Sequence, residues 1–169
     1  MLRRLSRFPP VLSRQFSEAC CRGNHHSSFD PARQVVQANI SWSPESFADF
    51  HGKDSAGKEM IVSSAEGKGV NPMQSLLLAL GSCASIGVVG ILRKQRTPLE
   101  SLHIDVQGQR STEGAMPWET ILVTFKAKGA GVTKEKVERA VQLSIERHCG
   151  VHATLKNSVK IHTAVELVE

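Results

Sequence analysis

The hydrophobic pattern along the chain changes period twice. From Val35 to Ser64, short apolar runs are set off by turn formers. This predicts strands at Val35–Trp42, Phe47–His51 and Glu59–Ser64, with Asp54-Ser55-Ala56-Gly57 as the turn before the third. At Asn71-Pro72 the alternation stops. Asn can cap free backbone N–H groups and Pro fits a first helical turn, so a helix is predicted from Met73 to about Arg96. Its apolar residues, among them Leu76, Leu77, Leu80, Ile86, Val88 and Ile91, cover nearly the whole circumference. A helix of that kind is buried on every side or lies in a membrane. Gly69–Leu92 runs 24 residues without a charge, but Asn71, Pro72, Gln74 and several serines dilute it. No second apolar stretch exists for it to pack against, so a buried core helix and no integral membrane span are expected. Gly81, Gly87 and Gly90 cost helix propensity and in return permit close approach of another backbone. The 147 residues from 23 to 169 are few to wrap such a helix, and a dimer would supply the missing cover.

After Thr97-Pro98 the period of two returns. Leu102, Ile104 and Val106 alternate with His103, Asp105 and Gln107, and Ile121, Val123 and Phe125 line one face of Thr120–Lys126. Gly114–Trp118 makes the turn between them. Thr133 then opens a helix with Val137, Ala140, Val141, Ser144 and Ile145 inward and Lys134, Glu135, Glu138 and Arg139 outward. Gly150 is expected to cap its end, with a short turn at Val151–Leu155 and a last strand at Val159–Val168. No internal repeat is visible. The order, three strands, long helix, two strands, helix, short helix and strand, reads as α+β, the helices not being crossovers of a parallel sheet.

Composition changes this picture little: 40% hydrophobic and 22% charged residues are ordinary for a globular chain. Aromatics are 5% and tyrosine is absent, which argues against a base-stacking surface, and no nucleic-acid partner is expected. Charge matters more for where it lies. Residues 1–22 hold five arginines against Glu18 alone, four of the net five positive charges, so the body is nearly neutral. This Arg-rich, Ser-containing segment has the traits of a mitochondrial transit peptide (residues 1–22), followed by a polar linker (23–32) and the domain (33–169). The matrix is the expected compartment, where thiols stay largely reduced.

Of the four cysteines, Cys20 and Cys21 lie beside the tail, leaving Cys83 and Cys149, 66 residues apart. Cys83 is about 16 Å along its helix from Pro72, too far to feel the helix N-terminus. Its helical neighbours Ala79, Leu80, Ile86 and Gly87 cannot stabilise a thiolate, so a reactive Cys83 needs a cation or donor from elsewhere in the fold. Arg33, Arg110 and Arg147 are the candidates. Without one, burial leaves it inert. The run His148-Cys149-Gly150-Val151-His152 is also compatible with half a zinc site completed by Cys83, or with a Cys-His nucleophile for acyl transfer.

Asn71-Pro72-Met73-Gln74-Ser75-Leu76-Leu77-Leu78-Ala79-Leu80-Gly81-Ser82-Cys83 resembles the signature of the OsmC/Ohr family, the osmotically inducible and organic hydroperoxide resistance proteins. Val88–Lys94, Arg110 with Pro117, and the block Arg139–Leu155 around Cys149 agree, closest to the OsmC-like branch. The resemblance covers about residues 35–168. It implies a swapped homodimer with two antiparallel sheets wrapped around paired central helices. It also implies thiol peroxidase chemistry on organic hydroperoxides without metal or flavin cofactor. Cys83 would become a sulfenic acid, Cys149 would condense with it to a disulfide, and a lipoyl-type dithiol would reduce that bond. Two positions depart from the peroxidase branches: Met73 replaces a Glu, and no arginine occurs between Arg33 and Arg93. His148 also stands where Tyr is commoner in the family. A non-catalytic dimer of the same fold binding a small apolar ligand is the alternative.

Overall fold

A computed structural model describes residue 34 and residues 36–46, 48–64 and 66–168. The expected leader, the linker, Arg33, and the strand residues Val35 and Phe47 lie outside the described residues. The elements run β1 (Ala38–Trp42), β2 (Asp49–Asp54), β3 (Glu59–Ser63), α1 (Pro72–Lys94), β4 (Ser101–Arg110), β5 (Trp118–Lys128), α2 (Lys134–Arg147), α3 (Gly150–Leu155) and β6 (Lys160–Leu167). The α+β order read from the pattern holds, in two three-stranded sheets, β1-β2-β3 and β4-β5-β6.

The second sheet holds the core. β5 alternates strictly, burying Ile121, Val123, Phe125 and Ala127 completely. α1 lays Leu80, Ala84, Val88 and Leu92 into the same core, a stripe at successive i, i+4 positions, and α2 adds Val137, Ala140, Val141 and Ser144. β4 pairs with β5 antiparallel, but β5 pairs with β6 parallel, in register from Thr120↔Lys160 to Ala127↔Leu167. The sheet is therefore mixed, not wholly antiparallel as the resemblance implied. α2 and α3 form the long connection that a parallel pair requires, so these helices are a crossover after all, contrary to the reading of the pattern, because local periodicity does not reveal strand direction.

The first sheet is antiparallel throughout. Its turn forms where the sequence placed it: the Asp54 carboxylate accepts the Ala56 and Lys58 N–H groups, both at 2.8 Å, and Gly57 takes φ 81°. Register puts Ile40, Trp42, Phe50, Met60 and Val62 on one face, and Ile40, Trp42, Phe50 and Met60 are all exposed there. The loop from this sheet into α1 is held by Ser63 and Asp49. The buried Ser63 hydroxyl donates to Asp49, and the Lys68 and Gly69 N–H groups donate to the Asp49 carboxylate and the Ser63 oxygen. Asn71 then caps α1 through the Met73 N–H, as its sequence suggests.

α1 is not buried on every side within one chain. Ile86 is 75% exposed, and Leu78 and Val89 on the same side are also exposed. By length and composition alone this helix could also cross a membrane, with mean hydropathy 2.2. Gly87 serves the close helix approach expected of it, whereas Gly81 meets strand side chains instead of a backbone. Gly81 packs on Val106 of β4, and Gly87 lies against Ser144 of α2, while the space beside Gly90 is open.

Candidate functional site

Cys83 stands in the middle of α1, half-buried, and faces the junction of α2 and α3. That junction is built tightly. The Ser144 carbonyl accepts both the His148 and Cys149 N–H groups, which ends α2 at His148. Gly150 is therefore not the cap of α2. It is the first residue of α3, whose N-cap is Cys149. The Cys149 sulfur accepts the His152 N–H at 3.4 Å, a sulfur standing in for the oxygen of a Ser or Asp cap.

This arrangement brings the two sequence-predicted cysteines together. The Val151 N–H donates toward Cys83 and, against the cost of partial burial, holds its pKa below that of an ordinary thiol. The Cys149 thiol and the Gly150 N–H pull in the same direction. Burial pushes the Cys149 thiol up. The His152 N–H opposes that rise, and the neighbouring Cys83 adds to it. The pair is thus asymmetric, Cys83 lowered and its neighbour Cys149 raised.

Among the described residues, the groups that lower Cys83 are two backbone amides and the Cys149 thiol, and no guanidinium is among them. Arg110 is engaged elsewhere, its Nε donating to the Met116 carbonyl at 2.6 Å and its guanidinium lying over the Trp118 ring. Arg147 is the last residue of α2 and Lys53 pairs with Glu59 at 3.0 Å; neither contributes to the Cys83 shift. His152 directs its ring at the Ile145 carbonyl, and burial with Lys156 nearby lowers its pKa. Among the described residues, no group of three or more His, Cys, Asp or Glu side chains is close enough to hold a metal ion. Sequence reasoning missed the Gly150 and Val151 amides, because backbone donors have no residue signature. The only trace was a cysteine directly before six residues free of helix breakers other than Gly150.

Cys83 opens onto a groove of about 330 Å³ lined by Ile86, Gly87, Gly90 and Ile91, with Lys94 and His148 at its polar side. The site can therefore do thiol–disulfide chemistry on a molecule with an apolar body.

Two sheets, a central apolar helix and a cysteine pair at its midpoint define a recognisable class. The sequence model of the family described as OsmC-like protein matches residues 65–164, and the chain belongs to that family. It is 30% identical over 134 residues to protein YhfA of Escherichia coli K12, covering 79% of this chain and 98% of that one. A crystal structure of a hypothetical protein from Aquifex aeolicus VF5 is similar at 33% identity and TM-score 0.67, covering 81% of this chain and all of that one. The organic hydroperoxide resistance protein OhrB of Bacillus subtilis shares the fold at 12% identity and TM-score 0.58, covering 79% and 98% of the two chains.

Proposed function

We propose that this protein is a thiol peroxidase that reduces organic hydroperoxides. A peroxide-related role is supported by membership of a family whose solved structures include organic hydroperoxide resistance proteins. The observation that carries the finer reading is the asymmetric pair, a lowered Cys83 and a raised Cys149 within reach of each other beside an apolar groove.

The Cys83 thiolate attacks the terminal peroxide oxygen. An S–O bond forms, the O–O bond breaks, and the alkoxide leaves and takes up a proton as the alcohol. Cys149 then attacks the sulfenic sulfur, forming the Cys83–Cys149 disulfide and releasing water. A dithiol of the lipoyl type reduces that bond and is itself oxidised to its disulfide. In this reading the amides of Val151 and Gly150 act on Cys83 in place of the early arginine and of the Glu that Met73 replaces. This reading accounts for Met73 and for the missing early arginine.

Two further parts belong to the same proposal. A second copy of the chain covers Leu78, Ile86 and Val89 of α1 and the open apolar face of β1–β3, so α1 is a core helix of a homodimer and not a membrane span. The Arg-rich first 22 residues direct the protein to the mitochondrial matrix, a prediction checked by imaging a fusion to a fluorescent protein.

The chemistry is tested by mixing the reduced full chain with cumene hydroperoxide and dihydrolipoamide, beside Cys83→Ser and Cys149→Ser. Turnover should vanish in Cys83→Ser and stall after one equivalent in Cys149→Ser. An inactive wild-type protein whose Cys83 resists alkylation while folded would overturn the peroxidase reading in favour of a binding protein of the same fold.

A further inference from the structure

The two cysteines are joined through one residue that carries no chemistry of its own. Ser144 is fully buried on α2, and its hydroxyl donates to the Ala84 carbonyl of α1 at 2.7 Å, one residue beyond Cys83. Its own carbonyl accepts the His148 N–H at 2.9 Å and the Cys149 N–H at 2.8 Å. Side chain and main chain of one serine therefore hold the two ends of the cysteine pair. The close fit depends on Gly87, where a Cβ would collide with the Ser144 hydroxyl.

We infer that Ser144 is the positioning residue of this site, clamping α1 to the α2–α3 turn so that the Val151 and Gly150 amides and the Cys149 thiol reach Cys83. The hydroxyl is not needed to satisfy α1. Ala84 already has the helix ladder, and a carbonyl accepts two bonds. Its removal should therefore loosen the spacing more than the fold. This inference rests on the Cys83–Cys149 pair being functional, and its readouts need no peroxide.

The test measures two quantities on the reduced full chain. One is the pH dependence of Cys83 alkylation by iodoacetamide, assigned by peptide mass spectrometry. The other is the Cys83–Cys149 disulfide equilibrium against glutathione. Ser144→Ala should raise the alkylation midpoint by about one pH unit, slow the reaction at neutral pH about tenfold, and weaken the disulfide by a similar factor. Ser85→Ala is the matched control. It removes a hydroxyl bond to the Gly81 carbonyl at 2.6 Å within α1 without touching α2, and both readouts should stay at wild-type values.

Gly87→Ala is a second route to the same point. It drives α1 from Ser144 while improving helix propensity, so it keeps the question open to measurement if Ser144→Ala fails to fold. It should shift both readouts in the same direction as Ser144→Ala. A folded Ser144→Ala or Gly87→Ala protein with wild-type midpoint and disulfide equilibrium, whatever its melting temperature, would overturn the positioning role. A wild-type Cys83 with an ordinary midpoint and no disulfide would instead overturn the peroxidase reading itself.

Discussion

The β4–β6 sheet is long-stranded and covered by helices of its own chain, whereas among the described residues the short-stranded β1–β3 sheet keeps an apolar face uncovered. In β4–β6 every inward side chain of β5 from Ile121 to Ala127 is fully buried under α1 and α2. In β1–β3 the corresponding apolar face, Ile40, Trp42, Phe50 and Met60, is exposed among the described residues, with Ile40 at 75%. The polar face carries Asn39, Ser41, Lys53 and Glu59, the alternation of a sheet meant to be covered on one side. In the proposed dimer this contiguous apolar face is what the second copy covers. Under the proposed dimer, the folding unit and the functional unit differ in size.

The largest effect should come from the finished half. Phe125→Ala leaves a cavity beneath α1 and should cost about 3–5 kcal/mol in denaturant unfolding. A loss below 1 kcal/mol would mean that the β4–β6 core is not the stability centre. Next comes the unfinished half. Ile86→Asp removes apolar burial worth about 1.5–3 kcal/mol from the proposed dimer. In sedimentation, self-association should weaken by roughly ten- to hundredfold or more, with the monomer still folded. A wild-type protein that is monomeric at micromolar concentration would break the comparison outright.

Trp118→Phe sharpens it at the seam. The indole N–H donates to the Met73 carbonyl at 3.2 Å, tying β5 to the first turn of α1. Its loss should cost about 0.5–1.5 kcal/mol in unfolding experiments. The smallest effect is confined to the first sheet. The Ser63 hydroxyl, then the Lys68 N–H, hold the Asp49 carboxyl below the usual carboxylate range. The stabilisation is therefore present above the unfolded value of about 3.9 and is lost as pH falls through the lower folded value. Hydrogen exchange in residues 66–70 should rise in acid before that of β5, and Asp49→Asn should abolish this pH dependence.

Much of this fold was legible because its signals are side-chain periodicities. The 80-84-88-92 stripe, the alternation of β5, the Asn71 cap and the Asp54 turn all announce themselves in residue types. The motif around Cys83 and the block around Cys149 carried the family likeness for the same reason. What stayed hidden is carried by the backbone. Nothing in the side chains of β5 and β6 distinguishes a parallel from an antiparallel neighbour. Gly150 reads equally as the end of one helix or the start of the next, and that ambiguity concealed the amides that serve Cys83. Ser144 was visible as an inward position of α2, but its bond to Ala84 exists only once α1 and α2 are packed.

The parallel pairing of β5 with β6 also bears on the order of events as the chain folds. Cys149 lies in the connection between those strands, 66 residues from Cys83. In the unfolded chain, bringing the two sulfurs together means closing a long loop against its entropy, with nothing local to hold it. The thiols become neighbours only after α1, the β4–β6 sheet and the crossover have docked, the slow, non-local part of the folding reaction. Premature Cys83–Cys149 pairing in a nascent chain is therefore disfavoured, and the two thiols are set side by side only as the protein becomes native.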